Sequence, residues 1–249
     1  MGDSTVLIAV VRPSLLGTYG DGGNALVLQR RLHRRGIAAE IAQIDGTDVV
    51  PTTSDIVVLG GGEDAPQILV ASDKPLADSL RAAVTRGATV LGVCAGFQLL
   101  GSRFDTAEGT IEGLGILDCA SERRADRAVG EIVVEPALVG MAALTGFENH
   151  RGGTILGPDA APLGRVTVGT GNGFDATDGA IQGKVVATYL HGPVLARNPD
   201  LADHLLGQVT GPLAPLADEP VRRLREERLA AAYGQSAGRR RFGRRRRLG

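Results

Sequence analysis

Two side chains could carry covalent chemistry. Cys94 ends the apolar run Thr89–Val93 and is followed by the small residues Ala95 and Gly96, while His191 ends the run Val185–Leu190. A cysteine thiolate attacks carbonyl carbon, and an imidazole within reach can hold the thiol proton and hand it to a departing group. That pairing suits cleavage of an amide or ester through a thioester. Of the four histidines, His33 and His204 fall on helical stretches and read as solvated. His150 lies in a Gly-rich loop, open to a ligand contact. His191 alone stands at the C-terminal end of a buried strand, where ligands gather in parallel sheets. Taken alone, Cys94 reads equally well as a buried strand-end cysteine. Cys119 reads as core.

The elements around Cys94 favour the reactive reading. A strand running straight into a cysteine, then Ala-Gly, then the helical FQLL describes a sharp strand-to-helix elbow that lifts a nucleophile above the sheet edge. The helix N-terminus beneath the sulfur favours negative charge there, and the Ala95 N–H is placed for a developing oxyanion. A second strand, Ile56–Leu59, ends in Gly60-Gly61-Gly62, where backbone N–H groups can approach a ligand closely. By itself that run is an ordinary βα turn, matching neither GxxxxGK[ST] nor GxGxxG. Beside Cys94, Gly61 and Gly62 become candidate oxyanion donors.

Further β-branched runs at Val6–Val11, Ile132–Val134 and Val166–Val168 read as strands. Helical stretches at Asn24–Arg35 and Pro75–Arg86 separate the early ones, the latter stopping at Gly87. This alternation predicts an α/β fold: a doubly wound, mostly parallel sheet flanked by helices. Residues 105–182 are richer in glycine and short strands, which suggests antiparallel additions. The organisation reads as one domain over 1–212, a helical extension over 213–233, and a basic tail over 234–249 whose composition predicts disorder.

The 249 residues are 43% hydrophobic and carry a formal net charge of -1, so nothing global calls for nucleic acid or a membrane surface. The Arg-rich tail is the local exception and reads as a solvated extension. Two cysteines without CxxC or HxxxH spacing fit a reducing cytoplasm and no metal site. No stretch approaches the roughly 18 apolar residues of a membrane helix.

The segment GVCAGFQLLG resembles the G-x-C-x-G-x-Q signature of class I glutamine amidotransferases. With TYGDGGN at 18–24, RAVGE at 127–131 and GFENH at 146–150, the chain over 6–210 is similar to the GatD-type glutaminase subunits of lipid II isoglutaminyl synthase, in the cobyric-acid-synthase-like branch. The resemblance implies glutamine hydrolysis at Cys94 and His191, Gln98 on the substrate side, and Arg127 gripping the α-carboxylate. A guanidinium fork suits a carboxylate, but Arg127 stands among Arg123 and Arg124 and reads otherwise as a solvated arginine. The resemblance also implies a MurT-like, Mur-ligase-type partner that holds ATP and magnesium and amidates the D-glutamate of the lipid II stem peptide. This chain shows no nucleotide motif.

Two departures stand out. Gly192-Pro193 follows His191 where class I enzymes place Pro-Glu, so the orienting carboxylate is expected from the partner, and the chain alone is expected to be a poor glutaminase. After GFENH comes Arg151-Gly152-Gly153 rather than Gly-Arg. TYGDGGN reads either as part of the site or as a turn with Asp21 or Asn24 capping the next helix. Asn149 and His150 are candidate ligand or partner contacts. Rival readings are amidation of a corrinoid carboxylate, a DJ-1/PfpI-like cysteine hydrolase, and a non-catalytic partner-binding subunit.

Overall fold

Strands with no polar alternation must be covered on both faces, which a sheet achieves only with helices on either side. β1 (Val6–Val11), α1 (Gly23–His33) and β2 (Ala39–Ile44) begin such an arrangement in a computed structural model that describes residues 5–245, with side chains described as far as Gly234. β3 (Ile56–Leu59), α2 (Asp64–Ser72), α3 (Lys74–Thr85), β4 (Thr89–Val93) and the short α4 (Ala95–Leu100) continue it. Every residue of β3 and β4 is buried. A second region follows: β5 (Arg103–Thr106), β6 (Gly109–Glu112), β7 (Cys119–Pro136), β8 (Leu144–Leu156), β9 (Gly164–Val168) and β10 (Thr177–Asp178). The chain then returns through β11 (Ala180–Gln182) and β12 (Val185–Thr188) to α5 (Val194–Arg197), α6 (Pro199–Thr210) and α7 (Glu219–Arg245).

The first sheet has the order β11-β12-β4-β3-β1-β2 and is parallel except for β11, which pairs antiparallel at the edge. The second has the order β10-β9-β7-β5-β6, with β8 pairing β7. It is antiparallel apart from β5 against β7. The expected doubly wound parallel sheet is therefore present, and the antiparallel additions form a sheet of their own. α1 docks through Ala25, Leu28 and Leu32, all buried. On its flank, buried Arg31 bonds Asp203 of α6 and Asp218 just ahead of α7, each at 2.7 Å. A buried guanidinium is tolerable only when its charge and donors are both met, so this fork anchors the C-terminal helices on α1.

Several elements differ from expectation for identifiable reasons. α2 is not among the helices expected from sequence; its Pro66 fits because a proline in the first helical turn removes no intrahelical bond. β7 carries SERRADR, a polar run that hides a long strand with one wet face and a register shift between Arg123 and Ala128. His150 lies in β8 and is buried, not in a loop. α7 continues to Arg245, through most of the stretch whose composition suggested disorder, while 246–249 lie outside the described residues. Among the described residues no helix is long and apolar enough to cross a membrane.

The elbow depends on one close approach. A Cβ on Gly96 would lie 2.5 Å from Leu59 O and 2.7 Å from Leu59 Cβ, so only glycine lets α4 seat against β3. Gly96→Ala should lower stability by about 1–3 kcal/mol, the usual cost of overpacking. Thermal unfolding checks this, and an unchanged midpoint would show that the elbow can yield.

Candidate active site

Cys94 sits at the turn between β4 and α4 with φ 52° and ψ -104°. A non-glycine residue at positive φ is strained, and such strain persists only where the surroundings hold it. Here Cys94 N–H donates to Thr188 O at 2.9 Å, and Gly96 N–H to Gly60 O at 3.1 Å. Gln98 N–H donates to Cys94 O. These bonds leave the Ala95 amide, first in the helix, for a ligand oxygen.

His191 stands beyond the end of β12, paired backbone to backbone with Phe147 of β8. Behind it, the carboxylate of fully buried Asp178 accepts from Thr188 Oγ1 and from Tyr189 N–H, clamping the stretch that carries the histidine. Burial pushes the Asp178 carboxyl up to about 7, with Glu148 adding to it and those hydrogen bonds opposing.

The orienting carboxylate lies within this chain. His191 Nδ1 donates to Asp21 Oδ2 at 2.9 Å, with Asp21 completely buried. This corrects the expectation of a carboxylate from a partner, and it corrects the capping role as well. Gly22 is the N-cap of α1 with no side-chain cap bond, and Asn24 Oδ1 instead accepts from Leu195 N–H. His191 Nε2 is buried with no hydrogen bond of regular geometry, and the Cys94 sulfur is the group that bears on its proton. Burial lowers the basicity of the imidazole, but the Asp21 bond and the neighbouring Cys94 outweigh it and raise the pKa to about 10.

The glycine run behaves differently from expectation. Gly61 N–H donates to Asp21 Oδ2 at 2.9 Å, so it braces the carboxylate and is not free to bind an oxyanion. A Cβ on Gly61 would meet His191 Cε1 at 2.8 Å, Asp21 Oδ2 at 3.0 Å and Cys94 Cβ at 3.6 Å, which places this glycine at the centre of the three. Gly62 lines the cleft beside Cys94.

That cleft has a volume of about 350 Å³, within the range of small-molecule sites. Cys94, Gln98, Arg127, Asn149 and His150 all line it. Gln98 is engaged already: its Oε1 accepts from Gln67 Nε2 at 2.9 Å and its Nε2 donates to Tyr189 OH at 3.2 Å. Its amide therefore shapes the wall, and direct substrate contact is limited to what these bonds leave over. A Cβ on Gly152 would lie 1.8 Å from Gln98 Nε2, which accounts for the Arg-Gly-Gly order after GFENH. His150 stacks on Tyr189 with centroids 3.9 Å apart. Arg127 is exposed at the rim, with Nε donating to Asn149 Oδ1 at 2.6 Å. His33 is exposed, His204 is half-buried on α6, and Cys119 is buried core.

Sequence reasoning missed Asp21 and Tyr19. Tyr19 packs its ring 4.8 Å from that of His191. Both residues belong to the TYGDGGN loop after β1, at the same sheet end that singled out His191. Among the described residues no cluster of His, Cys, Asp and Glu could hold a metal ion.

Known proteins resemble this chain in sequence and in fold. A family profile described as a CobB/CobQ-like glutamine amidotransferase domain matches residues 7–199. The GatD subunit of the glutamine-hydrolyzing lipid II isoglutaminyl synthase of Staphylococcus aureus (strain N315) is 37% identical over 195 residues, covering 77% of this chain and 79% of that protein. Its counterpart from Streptococcus pneumoniae (strain ATCC BAA-255 / R6) is 35% identical over 205 residues, covering 80% and 78%. A crystal structure of a glutamine amidotransferase, 23% identical, superposes with a TM-score of 0.55 over 81% of this chain and 98% of its own, which shows the shared fold.

The raised pKa of His191 gives a signed expectation. The interactions that favour the imidazolium add stability that is fully present below the ordinary pKa of 6.5 and is lost as pH rises through about 10. In an NMR titration the His191 ring should stay protonated until near pH 10, and in Asp21→Asn its midpoint should fall. A wild-type midpoint near 6.5 would show that neither Asp21 nor Cys94 holds the charge.

Proposed function

The chain belongs to the CobB/CobQ-like glutamine amidotransferases, and from that premise we propose that it is a glutaminase subunit: it hydrolyses L-glutamine through a Cys94 thioester and passes the ammonia to an ATP-using partner that amidates lipid II. The observation that carries the glutaminase step is the array of Cys94, His191 and Asp21, with Asp21 Oδ2 2.9 Å from His191 Nδ1. The lipid II acceptor and the Mur-ligase-type partner rest on the relatives' names, which describe subunits of a lipid II isoglutaminyl synthase. ATP and magnesium belong to that partner's step, in the cytoplasm.

In the proposed reaction, the Cys94 sulfur attacks the side-chain amide carbon of glutamine. The negative oxygen that forms is met by the Ala95 and Gly62 amides, the two of the three candidates that remain once Gly61 N–H is taken by Asp21. His191 gives its Nε2 proton to the nitrogen, the C–N bond breaks, and ammonia leaves a γ-glutamyl thioester. Water then attacks the thioester with His191 as base, releasing glutamate and restoring the sulfur. Asp21 accepts from Nδ1, fixing the ring and its Nδ1–H tautomer. Arg127 receives the α-carboxylate on its outer nitrogens.

Three measurements test this. Cys94→Ala should reduce glutamate release by on the order of 10⁶, as nucleophile removal does elsewhere, and activity within tenfold of wild type would sink the assignment. Arg127→Ala should raise the glutamine KM about 10- to 150-fold, the worth of a charge-assisted contact; an unchanged KM would make Arg127 a solvated arginine. Because Asp21 completes the site, the chain alone should release glutamate measurably, and Asp21→Ala should cost about 10²–10⁴-fold. A wild-type chain inactive until a partner is added would mean that this Asp21 geometry is insufficient.

A further inference from the structure

The GFENH and TYGDGGN segments meet at the mouth of the cleft. Asn149 Oδ1 accepts from Arg127 Nε at 2.6 Å, and Asn149 Nδ2 donates to Tyr19 OH. The Tyr19 ring in turn packs on His191 at 4.8 Å, tilted by 56°. A continuous chain therefore runs from Arg127 through Asn149 and Tyr19 to the imidazole. Its two ends are the group that would recognise glutamine and the group that would move its proton.

Three features argue that this chain is built. Arg127 lies in the irregular stretch of β7 where register shifts between Arg123 and Ala128, and such breaks re-aim side chains. With Nε tied to Asn149, the two outer nitrogens of Arg127 have no partner among the described residues, so they present a fork in the bidentate geometry a carboxylate accepts. Tyr19 holds φ at 63°, a strained value for an aromatic residue. Three contacts keep it there: Thr18 N–H on Gly61 O at 3.2 Å, the Asn149 amide on its hydroxyl, and His191 under its ring.

We propose that Tyr19 and Asn149 are positioning residues that make carboxylate recognition and coverage of the reacting atoms one cooperative unit. Asn149 sets the Arg127 fork, and the same amide holds Tyr19 over His191 beside Cys94. Because Arg127, Asn149 and Tyr19 are already joined before any ligand binds, a substrate lacking the α-carboxylate leaves the Arg127 fork unfilled and gains nothing from that alignment. Amide cleavage is thereby tied to the amino-acid end of the substrate. This inference rests on the glutaminase reading above.

The test uses the purified full chain. In a Cys94→Ala background, calorimetry should show that Asn149→Ala weakens glutamine binding by about tenfold, the worth of a lost charge-assisted hydrogen bond. The Arg127→Ala/Asn149→Ala pair should bind no more weakly than Arg127→Ala alone, since groups acting as a unit are not additive. With an intact Cys94, Tyr19→Phe keeps the ring but loses the hydroxyl, and should raise KM by a larger factor than it lowers kcat. Tyr19→Ala should lower kcat by roughly a further tenfold through loss of the oriented cover. Additive binding losses, or a Tyr19→Phe variant with unaltered KM, overturn the coupling while wild-type hydrolysis leaves the function standing. A wild-type chain that neither binds nor hydrolyses glutamine overturns both.

Discussion

Buried Asp21 Oδ2 accepts two hydrogen bonds, from His191 Nδ1 and Gly61 N–H, each at 2.9 Å. The three groups come from the loop after β1, the turn after β3 and the end of β12, so one oxygen ties together the C-terminal ends of strands that the sheet keeps apart. A carboxylate with no exposed surface is costly unless paired and hydrogen-bonded. The imidazolium offsets that cost, and the imidazolium in turn is held by the carboxylate and the sulfur. Moving any one of the three exposes an unmet charge. That mutual dependence is why Gly61 must lack a side chain and why the TYGDGGN loop folds back onto the glycine turn.

The second sheet supplies the opposite wall and does so with polar groups. Glu148, buried in β8, accepts from Thr170 and Gly171 N–H at 2.9 and 3.0 Å and so pins the β9–β10 loop. A chain of side chains runs from Gln67 through Gln98 and Tyr189 to Thr154 and Ser121. Networks of this kind specify a geometry when every member is satisfied. Here the network backs the cleft from behind Cys94, so wall and nucleophile share one rigid frame. The residues at the rim, Arg127, Asn149 and Tyr19, are the exposed part of the same construction.

Cys94, His191 and the strand positions beneath them were legible in the sequence because each of the two side chains ends a short, mostly apolar run. Arg127 and Asn149 were legible as candidates, and the structure lines the cleft with both. Asp21 was not. Its neighbours Gly22, Gly23 and Asn24 open α1, and an acid just before a helix is accounted for by capping. Nothing local reveals that a side chain 170 positions away from His191 in sequence will bond it. The rule that singled out His191, position at the C-terminal edge of a parallel sheet, applied equally to the loop after β1. Gly61 misled in the opposite sense: a glycine turn predicts free amides, and only the fold shows that one is already taken. Of β7 only the apolar run Ile132–Val134 was legible, because its earlier part is polar with one wet face and has no apolar run to announce it.

Burial lowers the His191 pKa, but Asp21 and Cys94 raise it to about 10, which bears on where the difficulty of the proposed hydrolysis lies. In a pair with neutral resting partners, proton transfer must accompany attack. The raised pKa of His191 favours keeping that proton on the imidazole in the proposed reaction. What is left is to place the amide carbon over the sulfur and to aim Nε2–H at the nitrogen that departs. Both are tasks of orientation, and a misplaced amide gains little from an activated sulfur. The fold accordingly invests its buried polar groups in fixing directions: Asp21 and Asp178 on the histidine, Gln98 and Tyr189 on the wall, Asn149 on Arg127. In the proposed reaction, the amide that meets Cys94 and His191 in register is one held at its far end.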